Sequence, residues 1–189
     1  MHILFVCSGN VCRSVIAERL TLAYATERRI GDLTAESAGT RALVGFPIEP
    51  RAAAVIEGLG GVVTERRARR VDADMIARAE LVLTMTEDQR DRVATLAAGS
   101  SMKSFTLTEA HRIAVVTGAD TVARLDAYRS TSDTEGIPGI PDPVGLSERK
   151  FVETGDRIAA DLFPLLDILT TRHAGNDPAL AGWRVHRYA

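Results

Sequence analysis

A cysteine at position 7 and an arginine at position 13 enclose five residues, Ser8-Gly-Asn-Val-Cys12, and Ser14 follows directly. Each of these residue types answers a need of phosphate-ester cleavage. Five residues curled between a strand and a helix can turn successive backbone N–H groups inward, which makes a nest for a tetrahedral anion. Gly9 and Asn10 tolerate the left-handed backbone that so tight a curl demands. Arg13 offers a planar fork for two oxygens of a phosphoryl group. At Cys7 the same N–H groups and the dipole of the following helix favour the thiolate, the form that attacks phosphorus. Ser14 is placed to donate to that sulfur. Ser8, Gly9, Asn10, Val11, Cys12, Arg13 and Ser14 are therefore the expected phosphate-binding set, with Cys7 as nucleophile.

The elements around this loop must hold it in place. Before it stands a short apolar run, His2-Ile-Leu-Phe-Val6, of β type; after it comes a helical pattern carrying Val15, Ile16, Leu20, Leu22 and Ala23. Further strands are expected near Leu33–Ser37, Leu81–Met85 and Ser104–Leu107. Helices are expected from Pro50 to about Leu59, from the Thr86-Glu-Asp-Gln89 capping box onward, over 109–116 and 119–129, and from a Ser147 cap to about Leu169 with a kink at Pro164. Between Ser130 and Gly145 the glycines and prolines spell a loop. Strands alternating with helices give right-handed βαβ units. The expected fold is α/β: a single three-layer domain with a four-stranded parallel doubly wound sheet and an N-terminal phosphate-binding loop. Ligands of such sheets lie beyond the C-terminal strand ends, where the cysteine loop falls.

Composition narrows the classes. The chain has 189 residues, 46% hydrophobic and 25% charged, enough for one ordinary domain. A net charge of -2 gives no bias toward nucleic acid. No apolar run reaches the roughly 20 residues that cross a bilayer, and the N-terminus lacks the pattern of a signal peptide, so a cytoplasmic protein without membrane insertion is expected. Cys7 and Cys12 are too close for a useful structural bridge and read as a reactive thiol with a neighbour. The histidines at 2, 111, 173 and 186 have no metal-ligand spacing, so neither a metal nor a cofactor is expected.

The segment Cys7-Ser-Gly-Asn-Val-Cys-Arg-Ser14 resembles the signature loop of low-molecular-weight protein tyrosine phosphatases. The resemblance continues in Ala17-Glu18, Ser37-Ala-Gly-Thr40, Glu80-Leu-Val-Leu-Thr-Met85 and Pro141-Asp142-Pro143, and it ends near residue 165. It implies a phosphatase domain over residues 1–173 and leaves a tail over 174–189, whose own Trp183 and Tyr188 are expected to dock on the body. It implies that Asp142 protonates the leaving phenolate and then activates water against a phosphocysteine. It also implies that Asn10 and Ser37 join a buried network supporting the loop. Three positions depart from the family. Val15 replaces a proline, Val144 a frequent tyrosine, and Arg66 a frequent histidine, which puts part of that network in doubt.

Arg41-Ala-Leu-Val-Gly-Phe-Pro-Ile-Glu49 is similar to the corresponding stretch of bacterial exopolysaccharide-operon members, which act on tyrosine autokinases. Leu43 and Phe46 then wall a slot for a tyrosyl ring, or merely pack the loop. Arg66, Arg67, Arg69 and Arg70 read chiefly as a solvated basic face. The implied partner is a phosphotyrosine protein, with a bacterial tyrosine kinase as one such substrate; oligomeric state is left open. Two other readings stand beside this one. An arsenate reductase coupled to a small-molecule thiol uses the same loop and needs one cysteine. A non-catalytic phosphotyrosine-binding module needs the nest but not Cys7, Arg13 and Asp142 together.

Overall fold

The computed structural model describes residues 1–132 and 136–171. The division at residue 173, the tail, and the docking of Trp183 and Tyr188 lie outside the described residues. The elements run β1 His2–Cys7, α1 Arg13–Glu27, β2 Thr34–Gly39, α2 Pro50–Gly58, α3 Ala73–Arg78, β3 Leu81–Thr84, α4 Glu87–Leu96, β4 Ser104–Thr106, α5 Leu107–Thr117, α6 Val122–Tyr128 and α7 Glu148–Thr170. The strands form one parallel sheet in the order β2-β1-β3-β4. This is the expected doubly wound α/β architecture.

The alternation of side chains along β1 builds the layers. Ile3, Phe5 and Cys7 join the larger core with Ile16 and Leu20 of α1, Ile56 of α2, Ile113 of α5 and Ile158 of α7. Leu4 and Val6 face the other way, onto Met75 and Ile76 of α3 and Val93 of α4. A central parallel strand covered on both faces must be apolar throughout, which explains the unbroken run after His2.

Three details differ from expectation. Six-residue α3 was not anticipated; it is started by Asp72, whose carboxylate accepts from Met75 N at 2.8 Å. Thr86 occupies the N-cap position of α4 without a side-chain cap bond, and the Gln89 side chain that would complete the box instead accepts from Met85 N at 3.0 Å. The capping box is instead at Thr106 and Glu109, opening α5. Ser147 stands at the start of α7 but makes no cap bond, and the helix continues through Pro164 to Thr170.

Two helices that flank the site meet at a glycine. A Cβ on Gly155 of α7 would lie 2.2 Å from Val55 Cγ1 of α2 and 3.3 Å from Leu59 Cδ1. Valine is stiff at χ1 and cannot swing aside cheaply. In an open helix Gly→Ala gains about 1 kcal/mol. Here the sign reverses: Gly155→Ala is expected to lose about 1–3 kcal/mol by overpacking, measured as a lower urea midpoint with an unchanged slope.

Candidate active site

The loop from Cys7 to Ser14 leaves the C-terminal end of β1 and enters α1. Five of its carbonyls, those of Cys7, Ser8, Gly9, Val11 and Cys12, are each turned to a fixed backbone donor. Cys7 O accepts from Thr40 N at 2.9 Å, Ser8 O from Arg41 N at 2.9 Å, Gly9 O from Leu43 N at 3.0 Å and Val11 O from Glu49 N at 2.9 Å; Cys12 O accepts from Val15 N and Ile16 N. In a planar trans peptide the N–H points opposite to the C=O. The N–H groups of Ser8, Gly9, Asn10, Cys12 and Arg13 therefore face the inside of the curl. Asn10 N confirms the direction, donating to Cys7 Sγ at 3.3 Å.

The left-handed residue in this curl is Asn10, at φ 58°. Gly9 is not, contrary to expectation: it has no positive φ, and a Cβ there would meet only Val11 Cγ2 at 3.6 Å and Leu43 Cγ at 3.8 Å. Asparagine tolerates the left-handed region when its side chain is bonded locally. The Asn10 amide donates to Ser14 Oγ at 3.1 Å and to Ser37 Oγ at 2.9 Å, while its Oδ1 accepts from Arg69 N at 2.9 Å. Ser14 Oγ in turn lies 3.0 Å from Cys7 Sγ.

Behind Asn10 sits a buried ionic cluster. Glu18, 5% exposed, accepts from Ser37 Oγ at 2.6 Å, from Arg19 Nη2 at 2.8 Å and from Arg66 Nη1. Arg66 also donates to Ser37 Oγ at 2.7 Å and reaches Asn10 Oδ1 at 3.4 Å. Burial, together with the like charges of Arg69 and Arg19, pushes Arg66 below the usual guanidinium range, and Glu18 opposes that shift. Arg69 donates to Ser37 O at 3.0 Å and to Glu36 at 2.7 Å. The arginine cluster is thus solvated only in part, with Arg67 and Arg70 exposed. Two of its four members support the loop, and Arg66 takes up the network that the missing histidine left in doubt. The role of Glu18 was missed, although Ser14 and Glu18, four apart, share one face of α1. Gln89 was missed as well: its amide donates to Ser8 Oγ at 3.1 Å and buttresses the loop from α4.

Arg13, 3% exposed, points into the same space. Its Nη1 donates to Ile140 O at 3.0 Å and its Nη2 to the Asp142 carboxylate. Its Nε is buried without a protein partner. Asp142, expected from the Asp-Pro pair, is therefore brought to the loop; its other oxygen accepts from Val144 N at 3.2 Å. Ile140 N donates to Met85 O at 2.8 Å and ties this segment to the end of β3. Cys12 is a buried, free thiol, and burial first, then Cys7 and Asp142, pushes its pKa up, so it stays protonated at neutral pH. Leu43 and Phe46 are 47% and 60% exposed, and Leu43 lies beside Gly9.

A family model described as low molecular weight phosphotyrosine protein phosphatase matches residues 2–112. The chain belongs to this family. It is an enzyme whose site carries the cysteine and arginine of cysteine-dependent phosphoryl transfer. Among curated relatives, the low molecular weight protein-tyrosine-phosphatase Ptp of Acinetobacter johnsonii is 29% identical over 106 residues, covering 56% of this chain and 71% of the relative. The probable phosphatase AmsI of Erwinia amylovora is 37% identical over 91 residues, 48% of this chain and 60% of the relative. This phosphatase spans about three fifths of the length of most curated relatives it matches. The solved structure of YwlE arginine phosphatase is 26% identical with a TM-score of 0.71, covering 90% of this chain and 96% of that one. No helix among the described residues is long and apolar enough to cross a membrane.

The cluster behind Asn10 gives a stability prediction for the phosphatase. Glu18→Ala removes the carboxylate partner of Arg66, and Arg66→Ala leaves Glu18 with Arg19 and Ser37; breaking a buried pair from one side costs up to about 3–5 kcal/mol. The double variant is expected to lose clearly less than the sum of the two. Urea denaturation of all four proteins measures the coupling, and strict additivity would show that the pair contributes nothing as a unit.

Proposed function

We propose that this protein hydrolyses phosphotyrosine in proteins, with Cys7 as nucleophile, Arg13 as phosphate clamp and Asp142 as general acid and base. The observation that carries the reading is one constellation. The Cys7 sulfur lies at the floor of inward N–H groups, 3.0 Å from Ser14 Oγ, while Arg13 joins that floor to the Asp142 carboxylate. The Nε and Nη2 of Arg13 form one edge of the guanidinium, and two phosphoryl oxygens on that edge satisfy the buried Nε. Nη1 stays on Ile140 O and fixes the plane.

In the first step the Cys7 thiolate attacks phosphorus and the P–O bond to the aryl group breaks. Asp142 gives its proton to the departing oxygen, so a phenol leaves rather than a phenolate. The inward N–H groups and Arg13 hold the negative charge that spreads over the equatorial oxygens. In the second step water attacks the phosphocysteine, Asp142 takes its proton, and the S–P bond breaks. Ser14 donates to the returning sulfur. Cys12, held protonated, takes no part in either step.

The exposed Leu43 and Phe46 supply apolar walls that suit a tyrosyl ring. The likeness to the exopolysaccharide-type members, AmsI among them, favours a bacterial tyrosine kinase as substrate and a reducing, cytoplasmic setting for the free Cys7. A second reading has its own support: YwlE is described as an arginine phosphatase, which makes phosphoarginine the competing substrate. Turnover of matched phosphotyrosine and phosphoarginine peptides decides between them, and faster cleavage of the arginine peptide would overturn the tyrosine assignment.

Cys7→Ser is expected to abolish turnover while inorganic phosphate still binds, because the nest is backbone and Arg13. Asp142→Asn is expected to lower turnover by about 10²–10⁴ for aryl phosphates with poor leaving groups, and far less for those that need no proton. A uniform loss across leaving groups would make Asp142 structural and send the search for the acid elsewhere.

A further inference from the structure

The segment that presents Asp142 is fastened at both ends. Its beginning is held by main chain: Ile140 N bonds to Met85 O, and Gly139 lies so close that a Cβ would sit 2.6 Å from the same oxygen. Its far end is a tight turn in which Leu146 N donates to Pro143 O at 2.9 Å, with Gly145 at φ 83°. The carbonyl of that last residue, Leu146, accepts from Arg51 Nη1 at 2.6 Å.

Arg51 is itself held from three directions. Its Nε donates to Glu49 Oε1 at 2.7 Å, and its guanidinium carbon lies 4.2 Å from the centre of the Phe151 ring on α7. Glu49 is fixed twice more. Its second carboxylate oxygen accepts from Ala52 N at 3.0 Å and caps α2, and its backbone N donates to Val11 O in the phosphate loop. A short path of bonds thus joins the floor of the site to the segment carrying the acid: Val11, Glu49, Arg51, Leu146, then the turn to Asp142. The Asp142 carboxylate is bonded to Val144 N inside that turn, so the turn's position sets the direction of the acid.

We infer that Arg51 is a positioning residue that sets the general acid against the phosphate loop, through the turn from Pro143 to Leu146. A planar, always-charged guanidinium suits this place because it makes two divergent bonds and stacks on a ring at once. The inference rests on Asp142 being the acid. Without Arg51 the turn keeps its own internal bond but loses its tie to Glu49. Asp142 is then displaced from the leaving oxygen, while Cys7, Arg13 and the nest keep their places. Small displacements of a proton donor are costly to rate.

The test is a series of aryl phosphates, from phenyl to dinitrophenyl, on wild type, Arg51→Met, Arg51→Lys, Asp142→Asn and the Arg51→Met/Asp142→Asn pair. Arg51→Met should lower turnover about tenfold for phenyl phosphate and within about twofold for dinitrophenyl phosphate. Inhibition by inorganic phosphate should be unchanged. Arg51→Lys, which keeps a charge and one donor nitrogen but not the planar fork, should recover part of the loss. In the Asp142→Asn background, Arg51→Met should cost nothing further. An equal loss for every leaving group, or full additivity with Asp142→Asn, overturns the positioning role and leaves Asp142 as acid. If Asp142→Asn shows no dependence on the leaving group, the acid assignment itself fails and this inference falls with it.

Discussion

Everything at this site depends on a loop of peptide groups whose carbonyls are committed outward. The donors are backbone N–H groups of the segment after β2 and of the start of α2, and they leave the loop no other way to face. The inward N–H groups follow from peptide planarity rather than from any side chain. Close packing against the sheet enforces the same geometry: a Cβ on Gly39, at the end of β2, would come within 2.5 Å of Ser8 O. The inward-facing N–H groups are thus a property of the fold's central edge, and the side chains of Cys7 and Arg13 are added to a floor that main chain has already built.

Holding that floor requires charge to be buried, and the molecule balances it locally. Asn10 sits in the left-handed region with every polar atom of its amide bonded. The group behind it, Glu18 with Arg66, Arg19 and Ser37, is a carboxylate taken out of water and matched by two guanidinium groups and a hydroxyl. Such a cluster adds little net stability against an apolar alternative, but it fixes Asn10 in one orientation. Arg66 reaches Glu18, Ser37 and Asn10 from one planar guanidinium.

The fold was legible from the sequence because its two central strands, β1 and β3, are continuous apolar runs beside a specific loop, and those signals are local. The cysteine loop and Arg13 were legible for the same reason, whereas Asp142 was reached only through the family resemblance. What escaped was long-range. Nothing near Arg66 announces that Glu18 and Ser37, far earlier in the chain, lie beside it, so the arginine run looked solvated. Gln89 stands at the fourth place of a capping-box spacing, yet its side chain bonds the loop's Ser8 and the end of β3. Gly9 was credited with backbone freedom that Asn10 alone uses. In each case a short-range rule was overruled by a partner that only the folded sheet brings near.

The central claim is that the sulfur of Cys7 carries the phosphoryl group between the two steps. Rapid mixing with a phosphotyrosine peptide, quenching, and mass mapping of the first fifteen or so residues tests it most directly. The account predicts a transient phosphoryl mass on Cys7, absent from Cys12, and accumulating where hydrolysis of the intermediate is slow. Turnover that proceeds with no phosphoenzyme on any time scale, or with the phosphoryl group on another residue, would contradict it.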